Sequence, residues 1–331
     1  MKPCLLAVLL TLGALPAAAA EGSARPDVVA TFSIAAADPE TGEVGVAVAS
    51  RFFAVGSVVP YVRAGVGAIA TQANVNGRYG SRGLELLAAG TAPGQVVKQL
   101  TGEDPDSSAR QLGVVSAKGA SATFTGPGAT AWAGGRTGKS YAIQGNILTG
   151  ADVVEAMERA FLSTKGDLAE RMLAAMLAGD AKGGDSRGRQ SAALVVARPQ
   201  GGFGGYTDRF IDVRVDDHVQ PLKELRRLVG IGRVNAYWNL AWTAHTQKRP
   251  ADALPLIERT ASAAERDAKA ILPEVLYDLA VIRSSAGKQA EALQALRRAV
   301  RGNPKLATQA RQDRDLEVLR REPGFERALK R

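Results

Sequence analysis

The stretch from Val28 to Arg51, VVATFSIAAADPETGEVGVAVASR, restricts the fold more than any other part of the chain. Two runs of β-branched and small apolar residues flank Asp38-Pro39-Glu40-Thr41-Gly42. Proline presets φ, aspartate bonds its own backbone and glycine tolerates a positive φ, so the middle is turn chemistry and the runs are the strands of a hairpin. Val44-Gly45-Val46-Ala47-Val48-Ala49 does not alternate between apolar and polar, as expected for a strand covered on both faces. The hairpin is therefore interior. Thr31 and Ser33 carry the only hydroxyls of its first strand, and the period of two places both on one face. Hydroxyls are expensive to bury unless they are paired or used.

Residues 1–20 hold one cation, Lys2, then an apolar run from Leu5 to Leu15, Pro16 and four alanines. This pattern predicts a secretory signal peptide cleaved before Glu21, with an apolar core too short to span a bilayer. The expected location is exported, periplasmic or extracellular, with no membrane span. The single cysteine, Cys4, lies ahead of the apolar core, so a lipid anchor is not expected and the mature chain has no thiol for disulfides, thiolate catalysis or cysteine metal sites. The formal charge of +9 suits either solubility or anionic envelope polymers. The basic residues are scattered and rarely interleaved with aromatics, which argues against nucleic acid.

Beyond a linker at 21–27, a change of composition divides the chain. Up to about Gly205 it is rich in Gly, Val and Ala, and from Leu222 Leu, Ala, Arg and Glu dominate. The first region, 28–230, reads as strands, two helices (Ser81 to Ala89, Pro93 to Leu100), strands, two helices (Asp152 to Ser163, Asp167 to Leu177) and strands. Two antiparallel sheets packed face to face, each with helices outside, would bury such strands on both faces. The expected fold class is α+β, a four-layer αββα sandwich followed by an all-α domain at 231–331.

The segments TFSIAAADPETGEVGVAVASRFFAVG, GVGAIATQANVN, YAIQGNIL, GGDSRGRQSAALVV and DRFIDVRVDDH resemble an uncharacterised bacterial family, domain of unknown function 1028, placed in the N-terminal-nucleophile (Ntn) hydrolase superfamily. The likeness covers about Ala30 to Leu228. It implies amide-bond hydrolysis by a Thr, Ser or Cys at the start of the first strand, with that residue's own α-amine as general base. Thr31 matches the position, and Ser33 is the weaker candidate. Family members often begin Met-Thr-Phe-Ser, whereas here Glu21 to Ala30 precede Thr31 after signal cleavage, so the amine is free only if the Ala30–Thr31 bond is cut.

Asn74, Asn76, Gln144 and Asn146 end or follow strands, where their amides suit either an oxyanion or a turn. Asp185, Arg187 and Arg189 lie in a glycine-rich loop; guanidinium forks suit a substrate carboxylate, and a solvated loop is the rival reading. Asp216-Asp217-His218 reads as capping, not as a metal pair, and no cofactor or metal is implied.

In the helical region Leu240-Ala241 is followed by Ala253 and Ile257, and Leu279-Ala280 is followed at the same offsets by Ala292 and Leu296. With Pro304 after the second copy, this resembles the tetratricopeptide (TPR) repeat. An insertion around Ser262 to Lys269 explains why the copies stand further apart than the standard spacing of about 34 residues. Tyr237, Trp238, Trp242 and Tyr277 either line a peptide groove or pack in the core. Two readings follow: an exported amidohydrolase acting on a small amide or peptide, and a non-catalytic periplasmic binding or scaffold protein recruiting a peptide or protein partner through its helical tail. A homo-oligomer remains open in both.

Overall fold

The computed structural model describes residues 31–330; the signal peptide and linker expected at 1–27, and the residues immediately before Thr31, lie outside them. The N-terminal part is built of strands β1 (Thr31–Asp38), β2 (Glu43–Ser50), β3 (Pro60–Arg63) and β4 (Gly67–Ala73), helices α1 (Arg78–Ala88) and α2 (Pro93–Gly102), and strands β5 (Arg110–Ser116), β6 (Ser121–Thr125), β7 (Gly134–Gly138) and β8 (Tyr141–Asn146). Helices α3 (Asp152–Ser163) and α4 (Leu168–Ala181) and strands β9 (Ser191–Ala197) and β10 (Arg209–Val215) complete it. The strands form two antiparallel sheets, ordered β10-β9-β2-β1-β8-β7 and β3-β4-β5-β6. β3 and β7 have no counterpart in the sequence reading: both are short edge strands, and Gly134-Gly135-Arg136-Thr137-Gly138 carries no β-propensity.

The expected hairpin is β1–β2, with Thr31 opposite Ser50 and Asp38 opposite Glu43. Every residue from Thr31 to Ala37 is buried. Phe32, Ile34 and Ala36 point to a core shared with Met157, Phe161, Met172 and Met176 of α3 and α4. Ala35 and Ala37 instead face Ala68, Ala70 and Val115 of the other sheet. The outer face of that sheet is closed by Tyr79, Leu87, Val96 and Leu100 of α1 and α2, packed on Ile69, Leu112 and Val114. The two sheets thus face each other, with helices covering both outer surfaces.

α1 approaches the four-stranded sheet through glycine: a Cβ on Gly80 would lie 2.1 Å from Cγ of Tyr61. α4 starts at a capping box in which Asp167 Oδ1 accepts from the Glu170 amide at 3.0 Å and Glu170 Oε2 accepts from the Asp167 amide at 3.2 Å.

The C-terminal half is helical: α5 (Pro221–Thr246), α6 (Pro250–Asp267), α7 (Leu272–Ser285), α8 (Gln289–Gly302), α9 (Leu306–Gln312), α10 (Glu317–Arg320) and α11 (Phe325–Ala328). Ala253, Ile257, Ala292 and Leu296 are fully buried in its core. The extra residues near Ser262 extend α6 as helix to Asp267 instead of forming a loop. α5 runs without interruption through residue 230, its first half packed on β9 and β10 and its second in the helical core. Among the described residues no helix is long and apolar enough to cross a membrane.

One ionic cluster ties the two parts together. Asp167 Oδ2 accepts from Arg233 Nε at 2.9 Å, from Arg259 at 2.8 Å and from the Tyr237 hydroxyl at 3.1 Å. Arg233 also reaches Glu170 at 2.9 Å, and the Arg259 guanidinium lies 3.9 Å from the centre of the Tyr237 ring.

Two stability predictions come from this packing. Gly80→Ala should lower the free energy of unfolding by about 1–3 kcal/mol, because the clash with the fixed end of the Tyr61 ring outweighs the roughly 1 kcal/mol that alanine adds to a helix. Asp167→Ala should cost about 3–5 kcal/mol, since it leaves Arg233 buried without its main counter-charge. Denaturant titration of each variant measures both.

Candidate functional site

The two-faced burial of β1 carries Thr31 and Ser33 into the space between the sheets, on the same face as Ala35 and Ala37. That space is apolar at one end and polar at the other. Ser33 Oγ donates to Gln72 Oε1 at 2.5 Å and accepts from Gln144 Nε2 at 2.6 Å. Gln72 Nε2 donates to Gln111 Oε1 at 2.8 Å and to the carbonyl of Thr31 at 3.2 Å. Gln111 Nε2 continues to the Gly145 carbonyl at 2.7 Å and to Thr125 Oγ1 at 2.9 Å, and Asn146 Nδ2 donates to Gln111 Oε1 at 3.0 Å. Gly113 makes room for this layer, because a Cβ there would lie 2.0 Å from Gln144 Oε1.

Thr31 stands at the head of β1, opposite Ser50 on one side and Asn146 on the other. Its Oγ1 donates to Ser50 Oγ at 3.2 Å. Directly opposed residues of an antiparallel pair place their side chains within contact range on one face. Asn146 Oδ1 is buried there, and among the described residues no donor reaches it. An unsatisfied buried amide oxygen costs about 1–3 kcal/mol, so it marks a position that a further donor would stabilise.

The glycine-rich loop closes the same end of the six-stranded sheet. Asp185 Oδ2 accepts from the backbone N–H of Arg51 at 2.7 Å, the Gln190 amide donates to the Ser50 carbonyl at 3.1 Å, and the Ser186 amide donates to the Ile147 carbonyl at 3.0 Å. Asp185 is 4% exposed and holds Arg187 at 3.1 Å, with the Arg187 guanidinium donating to the Arg51 carbonyl at 3.2 Å. Thr31, Asn146, Asp185 and Arg187 therefore converge on one strand end. Arg189 does not join them: it pairs with Asp180 at 2.6 Å.

Asn74 and Asn76 belong to a different cluster. Asn76 Nδ2 donates to Asp104 Oδ2 at 2.9 Å, the Tyr79 hydroxyl donates to the same oxygen at 2.9 Å, and Arg110 binds both Asp104 and the Asn74 carbonyl at 2.9 Å. The hydrogen bond from Arg110, helped by those from Asn76 and Tyr79, holds the Asp104 carboxyl well below the usual carboxylate range. Gln144 is at the site, but its amide is committed to Ser33.

Ser50, Gln72 and Gln111 belong to this candidate site, and the sequence reading does not single them out. The register of the hairpin opposes Ser50 to Thr31, and Gln72 shares the parity of Ala68 and Ala70. A glutamine on the buried face of a small-residue strand is the signal that points to them. The proton of Ser33 is given to Gln72, so Ser33→Ala should strand the Gln72 and Gln144 amides and cost about 1–3 kcal/mol in denaturant titration. It should leave any activity that depends on Thr31 within a few-fold.

Comparison with known proteins comes to the same region. The model described as "Family of unknown function (DUF1028)" matches residues 31–225. The crystal structure of protein SPO2555 from Silicibacter pomeroyi, assigned to the same family model, is similar at 32% identity and a TM-score of 0.55, over 60% of this chain and 87% of that one. No curated protein matches. From the hairpin that heads it to the loop that closes its polar end, the sheet-containing part of the chain belongs to the family of unknown function DUF1028.

Proposed function

We propose that the sheet-containing part is an Ntn-type hydrolase that cleaves a small amide or peptide, with Thr31 as nucleophile once processing has freed its α-amine. The observation that carries this reading is the buried, donorless Oδ1 of Asn146 on the residue directly opposite Thr31. In this reading the freed α-amine of Thr31 is the donor that this oxygen lacks. The facing sheets with helices outside each give the layer order of an αββα sandwich, which is the setting such a nucleophile has in the superfamily.

In this mechanism the amine takes the Thr31 Oγ proton as the oxygen attacks the substrate carbonyl, and gives it to the leaving amine as the C–N bond breaks. Water then hydrolyses the threonyl ester by the same route in reverse. Ser50 places the hydroxyl. Arg187, fixed by buried Asp185, is the group for a substrate carboxylate at the strand end. Export is part of the proposal, since the sequence ahead of Thr31 reads as a secretory signal and linker. So is the TPR-like reading of the tail, which the full burial of Ala253, Ile257, Ala292 and Leu296 supports.

One observation favours the second reading, a non-catalytic scaffold: Ser33, Gln72, Gln111 and Gln144 saturate one another, as a purely structural layer would.

A chain beginning at Thr31 should hydrolyse amide substrates or be labelled by a β-lactone, and Thr31→Ala should abolish both without unfolding the protein. The rate should rise as pH passes about 7.7–8.0, because the amine must lose its proton to act as a base. Intact mass of protein from an exporting host shows whether the chain starts at Thr31. An inert, unlabelled trimmed chain, or equal activity of an uncut chain, would give way to the scaffold reading.

A further inference from the structure

A cleft of about 320 Å³ opens between α5, α7 and the turn that joins β9 to β10, lined by Phe203, Asn235, Trp238, Asn239, Trp242 and Asp278. Trp238 and Trp242, four residues apart, share one face of α5. Sequence alone groups them with Tyr237 and Tyr277, but the structure separates the pairs. Both tyrosines are buried, with hydroxyls on Asp167 and Asp313, whereas the tryptophans are half-buried and line the cleft.

Phe203 is 87% exposed at the rim, yet its turn is fastened on both sides by one residue. Asn239 Nδ2 donates to the Gly202 carbonyl at 2.8 Å, and the Gly204 amide donates to Asn239 Oδ1 at 3.2 Å. An exposed aromatic held in place in this way is built to be covered.

Asp278 supplies the charge. Its Oδ2 accepts from the Trp238 indole at 2.7 Å, the residue lines the cleft, and among the described residues no donor is paired with its Oδ1. Among the described residues no lysine or arginine lies within ion-pair distance of Asp278, Asp313 or Asp315, in a chain of net charge +9.

We infer that this cleft binds a soluble cation carrying a trimethylammonium group, with the Trp238, Trp242 and Phe203 rings against its methyls and the Asp278 carboxylate opposite its charge. Indole faces attract cations, and more strongly when the pair is desolvated. The choice of cation follows from the hydrogen-bond inventory. A primary ammonium brings three donors and a guanidinium five. Among the lining side chains only Asp278 and the exposed Asn235 keep an oxygen with no hydrogen bond among the described residues, because the Asn239 oxygen is taken. A quaternary ammonium needs no acceptor and makes its contacts through methyl groups, which suits a lining that is mostly aromatic.

The cost of holding Asp278 ionised separates a ligand role from a structural one. Burial, with Asp313 and Asp315 adding to it, raises the Asp278 carboxyl to about 6. A carboxyl raised above its unfolded value stabilises the fold below the unfolded pKa and loses that contribution as pH rises through about 6, so at neutral pH the charge works against folding. The groups that act on it are Asp313, Asp315 and the Trp238 indole. Asn at this position keeps an oxygen for the indole and removes the charge.

The test is a titration of the full chain with choline at neutral pH, followed by tryptophan fluorescence and by calorimetry. Saturable binding is expected, with the uncharged tert-butyl analogue about tenfold weaker or worse. Asp278→Asn should lose about tenfold in affinity while its Tm stays level or rises, and Phe203→Ser, at an exposed rim position, should weaken binding severalfold with Tm unchanged. Affinity should fall as pH drops from neutral to about 5, where the carboxyl is protonated. The inference is overturned by no saturable binding below about 10 mM choline, by equal binding of the uncharged analogue, or by Asp278→Asn binding as well as the parent. Tighter binding of a lysine or arginine peptide would overturn the choice of cation. Co-sedimentation with phosphatidylcholine vesicles would overturn the soluble source.

Discussion

β1 is buried on both faces, and most of the sheet-containing part answers to that constraint. One face can be closed by apolar helices, and α3 and α4 do so with Met157, Phe161, Met172 and Met176. The other must meet a second sheet. Small side chains let the sheets approach where Ala35 and Ala37 meet Ala68 and Ala70. Where the same face turns polar at Ser33 and Thr31, water is excluded and each group needs a partner within the layer. Gln72, Gln111, Gln144 and Asn146 are long or placed well enough to bridge from sheet to sheet, and Gly113 leaves the volume they need. The amide layer is thus a consequence of putting hydroxyls on an interior strand, and the donorless oxygen of Asn146 is the place where it stays open.

Much of this is legible in the residues themselves, and the losses have physical causes. The Asp38 to Gly42 turn fixes the hairpin register, and the period of two then puts Thr31 and Ser33 on one face. The helices are legible from periodicity and from Asp167, whose capping box is local. β3 and β7 are not: β3 is an edge strand of four residues and β7 is glycine-rich, so both are held by their neighbours more than by propensity. Asn74 and Asn76 look like Asn146 in sequence, each near a strand end. What separates them is tertiary: Asp104 and Arg110 come from elsewhere in the chain to claim the first two, and Thr31 faces the third.

The composition border near residue 205–222 is real, yet no break in the chain goes with it. α5 begins on β9 and β10 and ends among the helices, so a single rigid element belongs to both cores. Asp167 fixes the angle of that element, because its Oδ2 gathers Arg233 and Tyr237 from α5 and Arg259 from α6 at the N-terminus of α4. Movement of the helical half against the sheets would have to break several charge-assisted bonds together.

Two carboxylates, Asp167 and Asp278, show how the number of donors decides a role. Asp167 is 7% exposed on its side chain and receives two guanidiniums, a phenol and a backbone amide, so both of its oxygens are occupied and nothing remains for a ligand. Asp278 receives one indole N–H, has two further carboxylates nearby and lines an aromatic cleft. Buried charge without compensation is destabilising, and replacing it by a neutral group is the easy route to a more stable chain. A structural account explains the first carboxylate completely. For the second it supplies only an acceptor for Trp238, a task that an amide oxygen would do without the charge, and the cation proposed for the cleft gives the charge a role.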